Sequence, residues 1–117
     1  MKIYLAAPYS HRFRLIRYLR YRRTNRVAAT LIKQGHIVFS PLSHSVPISR
    51  YLGNANDSGF WVEQDLSHID WCEAFYILRL WGWGKSAGIK REYVVAMRLK
   101  KIISRIDYGD YKNAKSV

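Results

Sequence analysis

Ala74-Phe75-Tyr76-Ile77-Leu78-Arg79-Leu80-Trp81-Gly82-Trp83-Gly84-Lys85-Ser86-Ala87-Gly88-Ile89-Lys90-Arg91-Glu92 reads as a buried strand, a glycine-bearing turn and the start of a helix. The run from Ala74 to Leu80 is the most apolar in the chain. It lacks strict alternation, which suits a central strand covered on both faces. Gly82 and Gly84 interrupt it. Ser86 then fits the N-cap position, where its hydroxyl accepts a hydrogen bond from a free amide of the first turn. The spacing predicts a helix from about Ala87 to Lys100, with Ile89, Tyr93, Ala96 and Met97 inward.

The same alternation extends in both directions. Lys2 to Ala7 is a β-branched and aromatic run closed by Pro8, hence a first strand. A helix is expected from about Tyr18 to Gln34, with Val27, Ala28, Leu31 and Ile32 at helical spacing and Gly35 as its stop. His36 to Ser40 reads as a second strand ended by Pro41. Leu42 to Asn56, rich in Ser, Pro, Gly and Asn, reads as an irregular segment, longer than a typical connection. Asp57 or Ser58 can cap a helix running through Ile69, with Val62, Leu66 and Ile69 as its apolar stripe. Lys101 to Ile106 reads as a fourth strand, and the polar tail from about Asp107 is expected to fray.

Strands alternating with helices imply an α/β three-layer sandwich, flavodoxin/Rossmann-like, with a small parallel sheet of four to five strands and right-handed crossovers. At 117 residues and 49% apolar, the chain is long enough for one domain, residues 1–117, with no linker. Ligands of such sheets bind beyond the carboxyl ends of the strands, where strand order reverses. Those ends are residues 7–10, 40–44 and 81–86, which bring hydroxyls, aromatics, a histidine and backbone amides to one rim.

The net charge of +12 and seven arginines between Arg12 and Arg26, interleaved with Phe13, Tyr18 and Tyr21, raise the expectation of a polyanionic partner. A solvated helix face, a phosphate-attracting rim and a nucleic-acid surface all fit this composition. A single cysteine, Cys72, excludes an intrachain disulfide and a Cys-x-x-Cys metal pair, and reads as a small packed residue. No apolar run approaches the ~20 residues of a membrane span. With a strand-like segment directly after Met1-Lys2 and no leader pattern, a cytoplasmic protein is expected.

Glu92 is the leading chemical candidate. It follows Gly88 by one turn, and positions four apart share a helix face; the alternative is a surface acid paired with Arg91 or Lys85. Ser86 and Gly88 lie where first-turn amides and the positive helix end form an anion site, although capping alone would account for the serine. The loop lacks G-x-x-x-x-G-K-[ST], which disfavours nucleoside triphosphate hydrolysis. Asp65, one turn after Trp61, either faces solvent or an arginine, or joins Glu92 at the rim. Two carboxylates meeting there suit glycosyl chemistry. His44 and His11 read as loop histidines bonded to neighbours or as substrate contacts, and the four histidines have no metal-ligand spacing. Tyr4, Tyr9, Trp61, Trp81 and Trp83 offer flat walls for a base, or core.

Three segments together resemble the nucleoside 2-deoxyribosyltransferase-like superfamily, which includes deoxynucleoside 5′-monophosphate N-glycosidases: residues 2–10 (KIYLAAPYS), Glu63-Gln64-Asp65-Leu66, and Ser86-Ala87-Gly88 through Glu92. Residues 39–45 (FSPLSHS) look like the small, often phage-borne members. The resemblance spans about residues 2–100. It implies that Glu92 is the nucleophile on C1′ of a deoxyribosyl unit, that Asp65 assists departure of the base, and that Tyr4 matches the family's first-strand tyrosine. It also implies that Ser86 contacts a 5′-phosphate with help from Ser10 and Arg12. Tyr9, Gly88, His44 and Trp83 complete the expected substrate-binding set.

The expected protein is therefore an enzyme needing neither metal nor organic cofactor. It hydrolyses or transfers the N-glycosidic bond of a 2′-deoxynucleoside or its 5′-monophosphate, and it works as a dimer or larger homo-oligomer. The alternative is a non-catalytic protein whose basic surface holds nucleotides or nucleic acid. The base, the acceptor and the number of subunits are open at this stage.

Overall fold

A computed structural model describes residues 1–53 and 60–111. The order of elements is β1 (Lys2–Ala6), α1 (Arg14–Lys33), β2 (Ile37–Phe39), α2 (Pro41–Ser49), α3 (Val62–Trp71), β3 (Ala74–Leu78), α4 (Ala87–Arg98) and β4 (Ile102–Ile106), with short 3-10 turns at Trp83–Lys85 and Tyr108–Asp110. The four described strands form one parallel sheet in the order β2-β1-β3-β4. The chain steps outward from β1 to β2 and then crosses back to β3. The reversal falls between β1 and β3, so their carboxyl ends define the crevice of an α/β sheet.

Alternate residues of each strand serve opposite layers, as a period of two demands. Ile3 and Leu5 of β1 pack with Val27, Ala28 and Leu31 of α1. Tyr4 and Ala6 point the other way, to Ile69 of α3 and Ile89 and Ala96 of α4. The sheet is therefore covered on both faces, and the three-layer α/β class expected from the strand–helix alternation is the one found.

The helices end as their sequences direct. Gly35 (φ 95°) closes α1 in a Schellman arrangement: its N–H bonds Ile32 O at 3.0 Å and the His36 N–H bonds Leu31 O at 3.2 Å. The same two bonds close α4 at Lys100 N–H to Met97 O and Lys101 N–H to Ala96 O. There a lysine at φ 56° holds the left-handed position.

Four expectations need correction. The segment expected to be irregular contains α2. Pro41 sits in its first turn, where no intrahelical N–H is required, and only Pro47 breaks a backbone bond, close to the helix end. The proposed caps Asp57 and Ser58 lie outside the described residues, and helical structure there begins at Val62. On α4 the inward stripe is Ile89, Glu92 and Ala96, leaving Met97 exposed, and on α1 Ile32 is exposed as well. The start of the tail is docked: Thr30 Oγ1 donates to Tyr111 O at 2.7 Å, and Tyr108 and Tyr111 pack against the core. Among the described residues no helix is long and apolar enough to cross a membrane.

Candidate active site

At the β1/β3 reversal a cleft of about 940 Å³ opens. The loop after β1, the face of α2 carrying Leu42 and Val46, Asp65 of α3, the loop after β3 and the first turns of α4 form its walls. Of the sequence-derived candidates, Glu92, Asp65, Ser86, Gly88, Ser10, Tyr9 and Trp83 line it. Tyr4 stands behind Glu92 and donates its hydroxyl hydrogen bond to Glu92 Oε2. Arg12 and His44 are not among the lining residues. Arg12 lies over the Phe13 ring at 4.6 Å, and His44 packs among Phe39, Trp61 and His68. His44 comes off the second strand onto α2, whose first turn directs it to that aromatic cluster rather than to the cleft.

Glu92 is buried. Taking a carboxylate from water favours its neutral form, and burial raises the Glu92 pKa to about 7; the Tyr4 hydrogen bond opposes the rise, the Asp65 charge adds to it and Arg91 opposes it. Asp65 rises to about 6, chiefly from burial, with His68 and Arg91 holding it back. Its Oδ1 is buried without a hydrogen-bond partner among the described residues. Burial and the two carboxyls push the Tyr4 phenol far above its ordinary range, so it remains a donor. Two acids that feel each other titrate as a pair. Between about pH 6 and 7 this pair holds about one proton, more often on Glu92 than on Asp65, and the minor form with Glu92 ionised and Asp65 protonated suits a nucleophile beside an acid.

Beside the acids, Ser86 caps α4, its Oγ accepting the Ile89 N–H at 3.2 Å. The capping role is thus filled by the oxygen's acceptor side, and the serine also lines the cleft. A Cβ built on Gly88 would meet nothing closer than Ser86 Oγ at 3.8 Å. Packing does not demand glycine there, so what the missing side chain leaves is room above the helix end. Lys85 and Arg91 border the same wall.

The residue that sequence reasoning missed is Arg20. It is only 8% exposed, and its guanidinium donates to Ser10 O (2.9 Å), Tyr9 O (3.3 Å) and Trp81 O (2.8 Å). One side chain thereby ties together the loops after β1 and β3, the two lips of the cleft. Gly82 makes room for it: its φ is +84°, and a Cβ there would stand 2.8 Å from Arg20 Nη2. Arg17 makes a companion bond to His11 O. Two of the seven clustered arginines are therefore structural pegs. The available signal was periodicity, because Arg20 precedes Thr24, Val27 and Leu31 on the buried stripe of α1. Cys72 is a packed residue, its thiol donating to Ile69 O at 3.0 Å.

The model of a family described as "Domain of unknown function (DUF1937)" matches residues 1–107. The chain belongs to this family. No curated protein matches this DUF1937 chain. Among solved structures it is similar to one described as a 2-deoxyribosyltransferase from the psychrotolerant bacterium Bacillus psychrosaccharolyticus, at 18% identity and a TM-score of 0.53, covering 98% of this chain and 93% of that one. That likeness is one of fold, and it agrees with the architecture expected from the three motif segments.

Proposed function

We propose that this protein cleaves or transfers the N-glycosidic bond of a 2′-deoxynucleoside or its 5′-monophosphate through a glycosyl-Glu92 intermediate. The observation that carries the reading is a buried glutamate held by a phenol, with a second carboxyl lining the same cleft whose buried Oδ1 has no hydrogen-bond partner among the described residues. The fold of a 2-deoxyribosyltransferase adds support.

In this scheme ionised Glu92 forms a bond to C1′ as the bond from C1′ to the base nitrogen breaks. The electron pair leaves with the base, which takes its proton from Asp65. Asp65, now a carboxylate, draws a proton from water, whose oxygen bonds C1′ and restores the Glu92 carboxylate with net retention. A second base in place of water gives transfer. Tyr4 steadies the Glu92 carboxylate in both steps. Ser86, the first-turn amides of α4 and Lys85 suit a 5′-phosphate, Gly88 leaves space for it, and Tyr9 and Trp83 offer apolar walls to the base.

The test is a panel of deoxynucleosides and deoxynucleoside monophosphates incubated with wild type and Glu92→Gln, with free base separated by chromatography. Release by wild type, and its loss in the variant, supports the scheme. Near-equal release by both removes Glu92 as nucleophile.

A further inference from the structure

The glycosidic site leaves the most charged part of the molecule unused. From Pro8 to Gly35 there is no acidic residue. On the solvent side of α1 and the residues just before it, Arg12, Arg14 and Arg22 are exposed. None of the three pairs with a carboxylate among the described residues. Between them stand large apolar groups also left in water: Phe13 is 54% exposed, Leu15 65% and Tyr18 52%. Arg12 already lies over Phe13 at 4.6 Å and Arg22 over Tyr18 at 5.9 Å, so the ring faces accept planar cations.

This strip does not stop at the helix. Phe13 packs on His11 (5.4 Å between ring centres) and His11 on Trp81 (6.3 Å). Both His11 and Trp81 line the cleft, and Trp81 is 78% exposed. Arg17 and Arg20 pin the backbone of both loops from below, so these rings ride on a fixed rim. From Arg14 to Arg22 the helix adds about 12 Å at 1.5 Å per residue. The result is a continuous track of cations and flat apolar surfaces ending at the cleft mouth.

Two occupants suit exposed rings: a second copy of the chain, or a ligand with its own stacking faces. A twofold pairing of this face on itself would set arginine against arginine with no acid to relieve it. A polyphosphate chain with unpaired bases answers both features at once, since phosphates meet the cations and bases stack on the rings. We propose that the protein binds single-stranded nucleic acid along this track, with the strand lying over the N-terminal half of α1 and passing Phe13, His11 and Trp81 to the cleft. Arg12, which does not line the cleft, takes its place here as a contact to the strand.

The test measures fluorescence anisotropy of a labelled 15-nucleotide single-stranded DNA with the full chain, both wild type and Glu92→Gln. Because the Gln variant lacks the proposed nucleophile, binding is read independently of glycosidic chemistry, and each reading can fail alone. For about four phosphate contacts, affinity is expected to fall roughly 50-fold between 50 and 200 mM salt. The triple variant Arg12→Glu/Arg14→Glu/Arg22→Glu should bind at least 10-fold more weakly than wild type. The acids at positions 12 and 14 lie at a helix N-terminus, which favours negative charge, and position 22 is exposed on the middle of the helix, so the fold is expected to persist; a melting curve checks this, and Arg→Gln replacements serve if it does not. Trp81→Ala should cost about 10-fold, the scale of one stacked base. No binding at 50 mM salt, unchanged binding by a folded triple variant, or a duplex bound as tightly as the single strand would overturn the proposal. So would a homodimer that the triple substitution dissolves without altering DNA affinity.

Discussion

Two carboxylates at the carboxyl edge of the sheet have opposite surroundings. Asp107, just past β4, takes two hydrogen bonds from Arg79 at 2.9 and 2.8 Å, and both residues are exposed. Glu92, at the β1/β3 reversal, is buried against a phenol and a second acid, with a pKa raised to about 7. Folding alone would place acids as Asp107 is placed, solvated and beside a cation. A chain of net charge +12 has cations in abundance, yet the most buried acid among the described residues has none bonded to it there. On the proposed function, the Glu92 end sacrifices stability to keep reactive groups ready.

The sharpest way to break this contrast is substitution of Glu92. Glu92→Gln should lower base release about 1,000-fold or more while the protein stays folded, as measured by a substrate-saturated rate assay. Asp65→Asn comes next, at about 100-fold, and its loss should be smaller with substrates whose base leaves without a proton. Comparing leaving groups in the same assay checks the acid role.

Stability supplies the third contrast. A raised Glu92 pKa means the folded state holds the proton more tightly than the unfolded chain. Its stabilising contribution is then fully present below the ordinary value of 4.5 and is lost as pH rises to about 7. Gln does not titrate. Glu92→Gln should therefore gain on wild type by on the order of 2–3 kcal/mol between pH 4.5 and 8. Melting curves at pH 5 and pH 8 measure this as a widening Tm gap. Asp107→Asn, which breaks an exposed pair, should move stability by less than about 1 kcal/mol at either pH.

Tyr4→Phe sharpens the picture within the site. Removing a hydrogen bond that favours ionised Glu92 should raise its pKa further, moving the alkaline limb of the rate profile up by about one pH unit and lowering the maximal rate. In wild type, kcat/KM should peak between about 6 and 7, the range set by the two raised carboxyls. A profile flat from pH 5 to 9 would separate these groups from the chemistry.

The sequence made the sheet legible because its strands are short apolar runs closed by proline or glycine, a local signal. It made Glu92 legible because Ser86 and Gly88 mark a helix start one turn before it. The helix α2 was hidden by two prolines, one of which is harmless at a helix start. Met97 was assigned inward because an apolar side chain outweighs an acid in a periodicity argument, whereas the fold turns Glu92 inward and Met97 out. Arg20 was lost among its neighbours, since charge runs are read as surface. Only its place one turn before Thr24 and two before Val27 distinguishes it.

The most direct measurement is a rapid acid quench of wild-type protein mixed with a deoxynucleoside monophosphate, followed by mass analysis of its peptides. The account predicts a deoxyribosyl phosphate adduct on the peptide carrying Glu92, formed in step with one equivalent of free base. Base release accompanied by an adduct on another residue, or undiminished in Glu92→Gln, would contradict it.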